Sequence, residues 1–96
     1  MDSELQLDDG TTFDVPDHVL ARRTGDEMVL LNLDNEQYYG LDEVGTRFWD
    51  LVAAGGSFGS AITTLLDEYE VERDVLERDL TALVGELSEN GLVVEA

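Results

Sequence analysis

The spacing of the apolar residues changes at Asp42. Before it they fall in short stretches bounded by turn residues, Val19 to Arg23, Met28 to Leu33 and Gln37 to Leu41; after it they recur three and four positions apart. A strand turns successive side chains to opposite faces, whereas a helix gathers residues near a period of 3.6 onto one stripe. The chain is therefore expected to build a small sheet first and to cover it with helices made afterwards.

Val19-Leu20-Ala21-Arg22-Arg23 reads as a strand and Thr24-Gly25-Asp26-Glu27 as a turn. Met28 to Leu33 is nearly all apolar, which suggests a central strand, and Asp34-Asn35-Glu36 reverses the chain into Gln37 to Leu41. An antiparallel meander of three strands results. In the central strand Val29, Leu31 and Leu33 form the more apolar set, because Asn32 interrupts Met28 and Leu30, so the odd face is expected to meet the core. In the last strand Tyr39 and Leu41 are expected to point inward, leaving Tyr38 and Gly40 on the other face. Upstream, Leu5 and Leu7, the turn residues Asp8-Asp9-Gly10, then Phe13 and Val15 suggest a short hairpin ahead of Pro16.

Asp42 is placed to cap a first helix, in which Val44, Phe48, Leu51 and Val52 share a side, Trp49 sits at its margin and Gly55-Gly56 ends it. Gly45 inside that helix points to close packing against the sheet, since glycine is otherwise unfavourable there. Ser57 can cap a second helix with Phe58, Ala61, Ile62, Leu65, Leu66 and Tyr69 on one stripe. A third, from about Arg73 to Glu89, aligns Leu76, Leu80, Leu83, Val84 and Leu87 and stops at Asn90-Gly91, with Leu92 set for the apolar contact of a glycine cap. The expected fold class is α+β, a winged helix-turn-helix-like arrangement of three antiparallel strands followed by three helices, with residues 1–96 as a single domain.

Charge and composition narrow the function. Twenty-three Asp and Glu against five Arg and no Lys give a formal charge of −18, which repels phosphate backbones and anionic lipid headgroups. Neither nucleic acid nor a membrane surface is an expected partner; the charge serves solubility or steers a basic partner, and composition does not separate the two. A winged helix often reads DNA, but the third helix carries Glu72, Asp74, Glu77, Asp79 and Glu86 around Arg73 and Arg78. Without cysteine there is no disulfide, thiolate metal site or cysteine nucleophile. His18 has no second histidine to share a metal, and Tyr38 stands where a calcium loop beginning at Asp34 needs an oxygen ligand. The acidic residues are too many for any spacing to single out an acid and a base, and no Asp-Ser pair opens a helix as an acyl carrier requires. No cofactor, metal or catalysis is expected. The amino terminus lacks the basic and apolar regions of a secretion signal, and no apolar run nears the roughly 20 residues that span a bilayer, so a cytoplasmic protein is expected.

The order Val29-Leu30-Leu31-Asn32-Leu33, Tyr38-Tyr39, Leu41, Gly45, Trp49, then Leu66, Tyr69, Val71, Asp79, Leu83, Leu87 and Gly91-Leu92 resembles the PqqD-like proteins, the leader-recognition elements of ribosomally made and enzymatically modified peptides. The resemblance covers roughly residues 18 to 94, and among the branches it is most similar to the discrete leader-binding subunit of lasso-peptide biosynthesis. It implies a noncatalytic adaptor: the precursor's leader peptide adds as a fourth strand and lies against the third helix, for delivery to a leader-removing cysteine protease and an ATP-dependent macrolactam synthetase. The residues support that mechanism on their own, since Gln37 to Leu41 ends the meander and one of its edges should be unpaired. The expected peptide contacts are Gln37, Tyr38, Tyr39, Gly40 and Leu41 on the strand, with Leu76, Asp79, Leu80 and Leu83 as the opposite wall. Leu41, Leu80 and Leu83 read equally as core residues, and Asp79 equally as a solvated one. The competing reading is a dimerising or docking winged-helix module that uses the same edge without any leader.

Overall fold

The computed structural model describes residues 7–96. Strands β1 (Phe13–Asp14), β2 (Val19–Thr24), β3 (Glu27–Asn32) and β4 (Gln37–Leu41) precede helices α1 (Glu43–Ala53), α2 (Phe58–Glu68) and α3 (Arg73–Glu89), and β5 (Val94–Glu95) closes the order. The main sheet runs β2-β3-β4, antiparallel throughout, so β4 is an outer strand. The α+β expectation and the positions of these strands and helices hold.

The second half of the expected amino-terminal hairpin is paired elsewhere. Phe13 and Asp14 pair with Glu95 and Val94 at the other end of the chain. The segment before them is engaged elsewhere: the Phe58 and Gly59 amides donate to the Thr11 and Asp9 carbonyls at 2.8 and 3.0 Å. The first amides of a helix have no partner within it, and this segment supplies one for α2. Leu5, and the Asp2-Ser3 pair weighed as a carrier site, lie outside the described residues.

The faces of β3 are the reverse of those expected. Met28, Leu30 and Asn32 are buried, whereas Val29 and Leu31 are only half-buried and Leu33 is exposed. The misleading residue is Asn32, 4% exposed. Its Nδ2 donates to the Asn90 carbonyl at 2.8 Å and its Oδ1 accepts from the Asp34 amide at 2.9 Å. Burying an amide is unfavourable only when its hydrogen bonds go unmade, and here they tie the end of β3 to the end of α3. Tyr39 and Leu41 do turn inward, opposite Leu30 and Met28.

The caps form as read. The Asp42 carboxylate accepts from the Gly45 amide at 2.8 Å and the Ser57 hydroxyl from the Ser60 amide at 3.1 Å. Gly91, at φ +70°, takes a left-handed turn closed by the Leu92 amide donating to Leu87 O at 2.8 Å. A Cβ on Gly45 would meet the capping Asp42 carboxylate at 3.2 Å, tighter than usual, and the Leu41 side chain at an ordinary 3.5 Å, so the glycine makes room chiefly for the cap. Phe48, Trp49, Val52, Ile62, Leu65, Leu80, Val84 and Leu87 join Met28, Leu30 and Leu41 in one core, with Phe48 and Phe58 edge to face at 6.0 Å. Trp49 is within that core rather than at its margin.

Candidate functional site

A groove of about 550 Å3 opens between β4 and α3. One wall is Tyr39, Gly40 and Leu41 of the outer strand; the other is Val75, Leu76, Asp79, Leu80, Ala82, Leu83 and Glu86 of the helix. Val71 and the first turn of α1, with Asp42, Val44 and Gly45, complete the lining. Leu41, Leu76 and Leu80 are buried and make its floor, while Tyr39 and Leu83 are half-buried and protrude into it. Among the described residues nothing pairs with the outer edge of β4. Upstream, Asp9 and Thr11 bond to the start of α2, Thr12 to Ala96, and Phe13 and Asp14 pair with β5.

Strand and helix meet across this gap through the Tyr39 hydroxyl, which donates to a Glu86 carboxylate oxygen. Burial first, and then that hydrogen bond, push the Tyr39 phenol up to about 12, because both favour the neutral donor over the phenolate. The ionisable lining groups besides Tyr39 are Asp42, Asp79 and Glu86, and no Arg or His is among them. The surroundings are thus an apolar trough with an acidic rim, without a nucleophile paired to a base. It can hold an apolar segment of chain, and it favours one that brings positive charge.

Seven of the expected contact residues line this groove: Tyr39, Gly40, Leu41, Leu76, Asp79, Leu80 and Leu83. Gln37 and Tyr38 do not. Gln37 opens β4 opposite Asn32, beyond the groove. Tyr38 is on the sheet's outer face, 73% exposed, opposite Leu31. Sequence reasoning missed Val44, Val71, Val75, Ala82 and Glu86, and read Asp42 and Gly45 only as helix-start residues. A signal was present: Val75, Asp79, Ala82, Leu83 and Glu86 follow i, i+4, i+7, i+8, i+11, a second stripe beside the buried one. His18 is elsewhere, half-buried, its Nε2–H donating to the Gly91 carbonyl at 3.1 Å.

The family model described as coenzyme PQQ synthesis protein D (PqqD) matches residues 27–93. Two solved structures are similar over most of the chain. One, TbiB1 in complex with the TbiA(beta) leader peptide, is 35% identical, with a TM-score of 0.78 over 83% of this chain and 93% of that one. The other, lasso peptide synthetase B1 complexed with the leader peptide, is 33% identical, with a TM-score of 0.77 over 85% of this chain and 96% of that one. No curated protein matches the sequence.

Proposed function

The chain belongs to the PqqD family, and on that footing we propose that it is a noncatalytic adaptor, which takes the leader of a ribosomal precursor peptide as a fourth strand along β4 and presents it to separate enzymes. The observation that carries the reading is a strand edge, unpaired among the described residues, that borders an apolar groove in a chain similar to two proteins solved with leader peptides. Main-chain hydrogen bonds along β4 hold any extended segment, and the groove selects among segments by the side chains that turn into it. Leader contacts fall on Tyr39, Gly40, Leu41, Leu76, Asp79, Leu80 and Leu83, with Gln37 and Tyr38 contributing through the strand edge and outer face rather than the groove.

About four main-chain bonds at roughly 1 kcal/mol net each and two apolar anchors at roughly 2 kcal/mol each give about 8 kcal/mol. Ordering a flexible leader removes about 2–5 kcal/mol of that. Binding in the micromolar to submicromolar range, which needs about 8 kcal/mol net, therefore calls for a well-filled groove and for charge attraction to the acidic rim. With neither cysteine nor a second histidine in the chain, chemistry on the precursor falls to partners. For the lasso branch these are a leader-removing cysteine protease and an ATP-dependent macrolactam synthetase, working in the cytoplasm.

The test is a titration of fluorescein-labelled leader peptides, the TbiA(beta) leader among them, followed by anisotropy. Saturable binding near micromolar is expected. A flat response up to about 50 μM, equivalent to under about 6 kcal/mol, would remove the adaptor reading.

A further inference from the structure

We propose a second leader subsite on the opposite face of the sheet, at Gly40, which takes one large aromatic side chain of the added strand. It rests on the leader reading and extends it, since the groove reads only the inward side chains.

Cross-strand neighbours share a face, so the register sets out the outer surface in rows: Leu20, Leu31 and Tyr38 in one, Arg22, Val29 and Gly40 in the next. The first row reaches the β4 edge with a large aromatic. The second stops short, because its edge residue has no side chain.

Among the described residues nothing requires that glycine. Its φ is not among the positive ones, which belong to Gly25, Gly55 and Gly91, so the backbone does not call for it. The β3–β4 register runs unbroken from Met28↔Leu41 to Asn32↔Gln37, so there is no bulge. A Cβ built on Gly40 meets nothing within 4 Å, so crowding does not demand it either. Glycine inside a strand weakens it, and with bulge and bend set aside the remaining common cause is close approach of a ligand or another backbone. The space Gly40 leaves is part of a cleft of about 240 Å3 lined by Thr24, Glu27, Val29 and Asp42 and, between them along the strands, by Met28 and Leu41.

A strand along β4 alternates its side chains, and those opposite to the groove emerge beside Tyr38 and Gly40. An edge glycine flanked by an aromatic residue and backed by half-buried Val29 suits a flat aromatic ring from the neighbouring strand, which covers the bare backbone and completes the row. Glu27 and Asp42 at the rim disfavour a carboxylate there. The occupant is thus an aromatic side chain of the leader, continuous with the strand pairing next to it.

The test is a double-mutant cycle. The probes are the labelled TbiA(beta) leader peptide and a panel of twelve-residue alternating peptides, each with a single Phe or Ala at one outward position. The variant is Gly40→Val, which suits a strand and covers the bare backbone of the edge; Gly40→Ala serves should Val impair folding, as read by its melting curve. On the wild type, one Phe position is expected to improve binding about tenfold over Ala. On Gly40→Val that preference is expected to vanish, read as the ratio of Phe to Ala peptide affinities on the variant itself. Equal weakening of Phe and Ala peptides would place the effect in strand pairing and overturn the subsite, as would an undiminished Phe preference or the lack of any on the wild type. If no probe binds the wild type, the leader reading falls and this proposal with it.

Discussion

The sheet has two outer strands, and among the described residues both β2 and β4 have an edge without a partner. They differ in what stands beside them. β2 is exposed at five of its six positions and carries Arg22 and Arg23, the second held by both Asp50 oxygens at 2.7 and 2.8 Å. β4 runs beside the apolar trough against α3. Main-chain bonds alone, about 4 kcal/mol for four, are cancelled by the roughly 2–5 kcal/mol of ordering a flexible segment. An unpaired edge is therefore insufficient. The anchors in the groove tip the balance, and charged side chains on the other edge discourage pairing there.

The most damaging change to that contrast is a charge in the trough. Leu83, half-buried on α3, loses an apolar anchor of about 2 kcal/mol as Leu83→Asp and presents a carboxylate to the leader, so affinity should fall about 30-fold or more. The matched change on β2, Leu20→Asp, alters a side chain already 52% exposed and should leave leader affinity within about twofold. Anisotropy titration of both variants decides it. Equal losses would mean that the difference between the two edges has been misjudged.

The contrast was partly legible in the sequence. That β4 ends the meander and that α3 carries a long apolar stripe can be read from spacing, so the two walls of the groove were identifiable before the structure. The faces of β3 were not, because both of its residue sets are apolar and Asn32 looks like an outward residue until its partners Asn90 and Asp34 are known. The expectation for β4 contained the remedy. Once Tyr39 and Leu41 point inward, the register that sets them against Leu30 and Met28 forces the even face to follow. The second stripe of α3, Val75, Asp79, Ala82, Leu83 and Glu86, was readable from its spacing, but that it stays uncovered depends on how far the helix stands from the strand, which spacing does not encode. The same holds for β5, two residues paired with a segment at the other end of the chain.

A smaller effect separates the straps that fasten the two strands. Arg23→Ala removes the bidentate pair between β2 and α1, both partners partly exposed. Such pairs contribute about 0–1 kcal/mol, so a drop of at most about 8 °C in melting temperature is expected. Leader affinity should not change, because this strap acts on the edge away from the groove. A parallel loss of affinity would show that β2 supports the binding edge and that the two sides are coupled.

The corresponding strap on β4 is the Tyr39–Glu86 hydrogen bond, and its contribution has a pH window. The folded-state phenol is raised to about 12, against about 10 for an unfolded chain. Below pH 10 the tyrosine is neutral in both states and the stabilisation is fully present. As pH climbs from 10 towards 12 the unfolded chain ionises first, so stability drains away across that interval. Tyr39→Phe has no proton to lose there, and its denaturation midpoint should fall less than that of the wild type between pH 9.5 and 11.5. The comparison must be a difference between the two proteins, because burial and Glu43 also raise Tyr69, which both retain. Parallel curves would mean that the hydroxyl does not fasten β4 to α3, and the two walls would then owe their spacing to the packing of the floor alone.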